Sequence, residues 1–407
     1  MTGPTDGGPG RPGPLSGFRV IECGTLIAGP FCGQLLADFG AEVIKVEDPG
    51  AGDPMRSWGQ VQVDGQSLHW PIIGRNKRSV TADLRSRDGQ RLLRQLVGRA
   101  DVLIENFRPG TLERWGLGWE SLSADNPLLV LVRVSGYGQD GPYADRAGFG
   151  AIGEAMGGIR HLTGEPDRPP SRVGVSLGDS LTATFAAFGT VMALLARART
   201  GTGQVVDAAI YESVLALMEA TLPEWELAGY QRERSGAVLP RVAPSNAYPT
   251  RDGVSVLVAA NRDTVFARLC AAMGRPALAD DARFATHEAR GDHQAPLDAL
   301  IAEWTGQLDA DAVLAALHEA GVPAGRVYRA EDMFADPHFA AREAIIRVDH
   351  PRLGPFPMPN VFPRLSGTPG GVERAAPELG ADNEAVYREL LGLDDSELER
   401  LRRAGVI

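Results

Sequence analysis

Several classes of function lose their support from what this chain lacks. Its 407 residues hold three cysteines, Cys23, Cys32 and Cys270, an odd number with no close-pair spacing, so neither a disulfide framework nor a zinc site is expected. That usage fits a reducing, cytoplasmic setting. The seven histidines include no His-Glu-x-x-His arrangement, and His287 and His293 are wrongly spaced for two ligands on one helical face, so no metal is expected. A Gly-x-Ser-x-Gly elbow is missing, which removes local support for a serine hydrolase. Positive charge is in deficit as well: 41 Lys and Arg against 52 Asp and Glu leave a net charge of −11, the opposite of a nucleic-acid binder. A small phosphorylated ligand held by a few local cations stays compatible with that balance.

Apolar runs are too short for a membrane partner. The longest, Leu181 to Ala196, falls short of a span of about 20 residues and is interrupted by Thr182, Thr184, Gly189 and Thr190. It reads as a buried helix of a soluble protein. The opening "MTGPTDGGPGRPGPL" has Gly and Pro where a signal peptide needs a continuous apolar run, so residues 1–15 are expected to form a disordered tail.

What is present is an ordinary globular composition, 43% hydrophobic and 23% charged, in a chain long enough for two domains. From Phe18, strand "FRVIEC", loop "GTLIAGP", helix "FCGQLLADFG" and strand "AEVIKVE" make a βαβ unit. The rhythm recurs with "RSVTADL", "GQRLLRQLVG", "ADVLIEN" and "LLVLVRVSG", which predicts an α/β fold with a parallel sheet covered on both faces. Residues 16–225 are assigned to this large domain. A smaller α+β domain, 226–330, opens with "AYPTRDGVSVLVA", two strands joined at Asp252 and Gly253, and continues with helices near 263–273, 294–305 and 309–320. Residues 331–407 read as a Pro- and Gly-rich linker followed by helical periodicity that returns to the large domain.

Four local features carry chemistry. "GFGAIG" at 148–153 matches the G-x-G-x-x-G fingerprint but follows a loop rather than a strand, so close backbone approach explains its glycines better than a dinucleotide. "GRNKRS" brings Arg75, Lys77 and Arg78 to a loop-to-strand edge, where they either reach a ligand phosphate or form a solvated cluster. "ENFRPG" puts Asn106, Phe107 and Arg108 beyond a strand's carboxyl end, where ligands of open α/β sheets bind. In "VGVSLGDSLTATFAAFGTVMALL", Asp179 follows Gly178 at the head of a nearly uncharged helix. A helix N-terminus stabilises an anion there by about 0.3–1 kcal/mol, so capping and chemistry are compatible roles.

Longer stretches, "AGPFCGQLLADFGAEVIKVEDPGAGDPMR", "GRNKRSVTADLRSRDG", "ADVLIENFRPGTLERWGLGWESL", "SGYGQDGPY" and "GDSLTATFAAFGTVMALLARARTGTGQVVDAAIYES", resemble the class III CoA-transferases, a group that also holds α-methylacyl-CoA racemases. The resemblance runs over about residues 16–407. It implies a Rossmann-like large domain built from both chain ends, a small domain between them, and two ring-shaped subunits interlocked as a homodimer. It implies that coenzyme A, as acyl-CoA substrate, is held by Ile27, Ala28, Lys77, Arg85, Asn106, Phe107, Arg108 and Arg114, and that Asp179 is the residue acylated. Phe149, Gly150 and Gly178 are the implied substrate positions. Two departures stand out. Asp48 lies where relatives often carry an Arg, and Phe149 and Gly150 lie where racemases place a His and many transferases a carboxylate. The expected activity is transfer of CoA from an acyl-CoA to a free carboxylic acid, a short dicarboxylate such as succinate, malate or mesaconate, with Arg160, His161 or Arg172 available to its second carboxylate. An acyl-CoA racemase and a catalytically inactive CoA-binding protein are the alternatives.

Overall fold

The computed structural model describes residues 13–407. Most of the expected tail lies outside the described residues. At its end Leu15 is buried and its amide donates to the Phe39 carbonyl at 3.0 Å, so this residue packs on the first unit. The described chain forms two compact units, one taking the residues through Ile159 with Val173–Leu222 and Ala341–Ile407, the other Arg160–Arg172 with Pro223–Ala340. The excursion Arg160–Arg172 therefore groups with the second unit, although it falls within the stretch read as the large domain.

The first unit is built on six strands, β1 (Arg19–Glu22), β2 (Glu42–Glu47), β3 (Lys77–Thr81), β4 (Val102–Glu105), β5 (Val130–Ser135) and β6 (Gln204–Ala209). All pair in parallel, in the order 3-2-1-4-5-6, which is the order of a doubly wound nucleotide-binding sheet. Successive side chains leave the sheet on opposite faces. Ile21, Ile44, Leu103 and Leu131 pack on α2 (Arg87–Val97), whereas Val20, Val43, Val102 and Val132 pack on α1 (Ala28–Asp38).

After β5 come α3 (Gly150–Met156), α4 (Leu177–Thr200) and, beyond β6, α5 (Ile210–Leu215). The apolar run read as a buried helix is α4, and it is buried on one face only. Ala183, Ala186, Ala187 and Ala193 join the core beside α1, while Phe185, Phe188, Met192 and Leu195 are exposed on the described chain. By length and composition α4 also passes as a membrane span, but its alanine face is the core contact of a globular sheet.

The second unit holds a three-stranded antiparallel sheet of β7 (Ser245–Pro249), β8 (Ser255–Ala259) and β9 (Ala324–Arg326). It packs on α6 (Asp263–Ala272), α7 (Gln294–Thr305) and α8 (Ala310–Glu319), close to the expected helices.

The stretch read as a linker contains a hairpin, β10 (Ile345–His350) with β11 (Gly354–Pro359). Prolines 355, 357 and 359 alternate along β11, which keeps their missing N–H groups on one edge and leaves Phe356 and Met358 to supply amides. Beyond it, α9 (Asn383–Leu391) and α10 (Asp395–Arg403) close the face over α2. Strand β3 is the outer edge of the sheet, and its amides at Ser79 and Thr81 donate to the side chains of Asp382 (2.8 Å) and Asn383 (2.7 Å).

Candidate active site

Strand order reverses between β1 and β4, and ligands of such sheets bind outside the carboxyl ends at that point. A cleft of about 200 Å³ opens there, with Thr25, Lys45, Asp48, Asp83, Arg85 and Phe107 in its walls. The turn after β4 and the loop after β1 are stitched together. The Asn106 carboxamide accepts from the Thr25 amide at 2.9 Å and donates to the Thr25 carbonyl at 2.8 Å. Phe107 stands edge-on to Trp115 with ring centroids 5.3 Å apart, and both rings line the cleft. Arg108 and Arg114 are exposed beside it, Arg114 donating to the Thr111 hydroxyl at 2.8 Å.

Glu105 braces this turn from below. Its carboxylate accepts from the Phe107 amide and from Arg133, each at 2.7 Å. Burial pushes the Glu105 pKa up, to about 7, with Arg133 and the Phe107 amide pulling the other way.

The floor of the cleft is a buried ion network, and it corrects the reading of Lys77 as a phosphate ligand. Lys77 is fully enclosed. Its ammonium lies 2.7 Å from Glu22 and donates to the Pro30 carbonyl at 2.7 Å. Lys45 reaches Glu22 (2.9 Å) and Asp53 (2.8 Å) and donates to the Gly24 carbonyl (2.7 Å). Burial lowers the pKa of Lys77 against the pull of Glu22, whereas for Lys45 the carboxylates of Glu22 and Asp53 outweigh burial and raise it. Arg75, from the same motif, is also buried and paired with Asp38 at 2.6 Å. Lys45 and Lys77 therefore hold the segment from Gly24 to Pro30, which carries Ile27 and Ala28, while Arg75 ties the end of α1 to the Pro359 carbonyl. Lys77 and Arg75 are spent inside the fold. Leu26 in the segment after Gly24 has φ +65 and its amide donates to Asp53 at 3.1 Å.

A second feature sits on the same edge of the sheet, beyond β5. Asp179 is the third residue of α4, with Ser176 in the N-cap position, so it lies within the first turn rather than at the cap. Gly150, the first residue of α3, faces it. A Cβ at position 150 would stand 2.3 Å from Asp179 Oδ2 and 2.7 Å from its Cγ. The departure read as a missing acid is thus a requirement for space, because any side chain at 150 would occupy the place of the carboxylate.

Neighbouring glycines bring the helices close enough. A Cβ at Gly153 would lie 2.4 Å from Ile210 of α5, and one at Gly148 would lie 2.8 Å from the Cα of Gly136, just past β5. Close approach is what "GFGAIG" supplies. The amides of Gly153, Gly157 and Gly158 are spent on the carbonyls of Phe149, Gly153 and Ala155, which removes them as oxyanion donors. The Gly178 amide donates to Glu154 at 3.1 Å, and Glu154 is buried. Glu154 went unnoticed in the sequence, although it is the one charge in a stretch of small residues. Phe149 precedes α3 with two thirds of its surface exposed, 66%. His161 lies in the second unit, paired with Glu233 at 3.1 Å. Among the described residues no group of three or more His, Cys, Asp or Glu is placed to hold a metal ion.

A nucleotide-type cleft and a carboxylate at the head of an apolar helix, on one edge of one sheet, suit covalent acyl exchange. The family model for CoA-transferase family III matches residues 15–383. This chain belongs to that family. It is 60% identical over 396 residues to the succinyl-CoA–D-citramalate CoA-transferase of Chloroflexus aurantiacus, covering 97% of this chain and 98% of that one. It is 42% identical to the beta subunit of the succinyl-CoA–L-malate CoA-transferase of the same organism, with 97% and 98% covered. Among solved structures, a CAIB/BAIF family protein from Brucella suis superimposes with a TM-score of 0.84 at 38% identity, over 93% of this chain and 100% of that one. The chain is accordingly an enzyme, a family III CoA-transferase whose substrates are CoA thioesters.

Proposed function

We propose that this family III CoA-transferase moves CoA from succinyl-CoA to a short hydroxylated dicarboxylate of the citramalate kind, with Asp179 as the nucleophile. The observation that carries the reading is the carboxylate of Asp179 seated on the bare backbone of Gly150 at the head of α4. The 60% identity to a citramalate enzyme supports the acceptor class.

In the proposed cycle an Asp179 oxygen attacks the thioester carbonyl, the C–S bond breaks, and a mixed anhydride and CoA thiolate result. The thiolate attacks the aspartyl carbonyl, giving an enzyme thioester and releasing succinate. The acceptor carboxylate then attacks that thioester, and the returning thiolate takes the acceptor's acyl group and frees Asp179. Each step exchanges one acyl–oxygen or acyl–sulfur bond for another, with no net proton or electron. The first turn of α4 favours the anionic form of Asp179 at each return. In this reading Thr25, Phe107 and Trp115 form the wall against which the nucleotide end of CoA lies. Asn106 holds that turn to the loop after β1, and Arg85, Arg108 and Arg114 stand at the rim. Ala28 is instead buried in the core at the start of α1 and Ile27 packs against the cluster of Trp70 and Ile73, so neither lines the cleft. Phe149 and Gly178 flank the reacting carbonyl, and the exclusion of water protects the activated intermediates.

Racemisation is disfavoured because Phe149, in the position of a second base, has no proton to exchange. A homodimer is supported by the row Phe185, Phe188, Met192 and Leu195 on α4, a large apolar face unlike the surface of a monomer. Sedimentation of the purified chain tests it; a stable active monomer refutes it, and recovery only with a second subunit type replaces it by a heteromer.

Succinyl-CoA presented with a panel of carboxylic acids, with mass detection of new thioesters, tests the activity. Citramalyl-CoA is expected as the leading product. Without acceptor, an adduct should form on the peptide containing Asp179 and yield a hydroxamate with hydroxylamine. A panel that gives no new thioester overturns the reading.

A further inference from the structure

Asp48 is the residue directly after β2 and Arg85 lies just beyond β3. They meet at the mouth of the cleft, Arg85 Nη1 3.3 Å from Asp48 Oδ2. The two partners differ in freedom. Asp48 Oδ1 accepts from the amides of Gly50 (2.8 Å) and Ala51 (3.2 Å), so the carboxylate is pinned by its own turn. The Arg85 side chain is long and 83% exposed. Lys45, the other cation among the lining residues, is committed to Glu22 and Asp53 in the floor. Arg85 is therefore the cation in the cleft wall that an arriving phosphate can recruit.

In sheets of this order, a carboxylate just past the second strand accepts from the nucleotide's ribose hydroxyls and opposes a phosphate on that ribose, while a nearby arginine accommodates such a phosphate. Here both groups are present, and they are paired with each other. CoA differs from dephospho-CoA by one ribose phosphate.

We infer that the Asp48–Arg85 pair sets the enzyme's selectivity for that phosphate: it draws Arg85 off Asp48, and the pinned carboxylate remains as a like charge that keeps the grip on CoA loose. The inference rests on the CoA-binding reading above and deepens it. A single rim charge a few ångström from a phosphate, at a solvent-exposed mouth, is worth about 3- to 10-fold in affinity and is screened by salt.

Calorimetric titration of the full-length chain with CoA and with 3′-dephospho-CoA reads the effect as a ratio of affinities. Asp48→Asn keeps the oxygen that receives the Gly50 amide and removes the charge. It should raise the preference for CoA about 3- to 10-fold, with the gain shrinking as salt is added. Arg85→Gln should lower the same preference by a similar factor. An Asp48→Asn variant that binds CoA more weakly, or ratios unchanged in both variants, overturns the proposal. A wild-type chain that binds CoA but transfers it to no acid refutes the proposed activity and leaves the affinity ratio as a valid test of the pair. A chain that binds neither ligand overturns both.

Discussion

The nucleotide cleft and the Asp179 nook share one edge of one sheet and are built on opposite principles. The cleft is held by charge: Glu22, Lys45, Lys77 and Asp53 form a buried network whose ammonium groups also clamp the carbonyls of Gly24 and Pro30. The nook is held by missing matter, since Gly150 and Gly153 let three helices and a carboxylate come together where any Cβ would collide. A buried ion network is rigid only while every partner stays, because a lone buried charge is costly. A glycine contact is sensitive to a single added atom, which displaces whatever side chain faces it, and owes nothing to charge pairing. The two regions should therefore fail under different substitutions.

The sharpest break concerns function at the nook. Asp179→Asn is nearly isosteric and sits inside the first turn, so the fold should survive while transfer falls by about 10⁴-fold or more. Rapid-quench transfer assays alongside thermal melts check both halves. A variant that keeps most of its turnover puts the nucleophile elsewhere.

In the cleft, Lys77→Met should cost about 3–5 kcal/mol of stability, because Glu22 loses one of its two ammonium partners in a dry site. Denaturant unfolding measures the loss, and adding Glu22→Gln should recover part of it. A loss below 1 kcal/mol would mean that charge does not hold the cleft.

Gly150→Ala adds one carbon in the nook. The carboxylate must move, and a displacement of about 1 Å suffices for about a 100-fold loss of turnover with stability and CoA binding little changed. The split between turnover and CoA affinity is the readout. Equal losses in both would place Gly150 in general packing rather than in seating the nucleophile.

The smallest effect is a pH slope. Burial raises the Glu105 pKa from 4.5 to about 7 in the folded chain, so folding favours its protonated form. The stability linked to it is present in acid and is lost as pH rises from about 4.5 through about 7. Melts across that range should show Glu105→Gln declining less with pH than the wild type.

The two regions also differ in how far the sequence alone revealed them. Strands β1 to β5 were legible because Val and Ile runs alternate with helical periods. β6, "QVVDAA", lacks such a run and comes after a long excursion, and β11 hides its pairing behind alternate prolines. Asn106, Phe107 and Asp179 were read from motif position. Lys77 was misread because a charge in a polar motif looks solvated, and nothing local reveals a Glu from another strand beneath it. Gly150 was read as a lost acid, since a sequence records a missing side chain but not the group that fills its space.

The edge strand β3 carries a consequence for synthesis. The side chain that receives the Ser79 amide lies 303 positions later in the chain, and at about 5–20 residues per second roughly 15–60 s pass on the ribosome before it exists. Through that interval the sheet has an open, pairing-competent edge of the kind that seeds association between nascent chains. Yield in cells should thus depend on how quickly translation proceeds from β3 to α9.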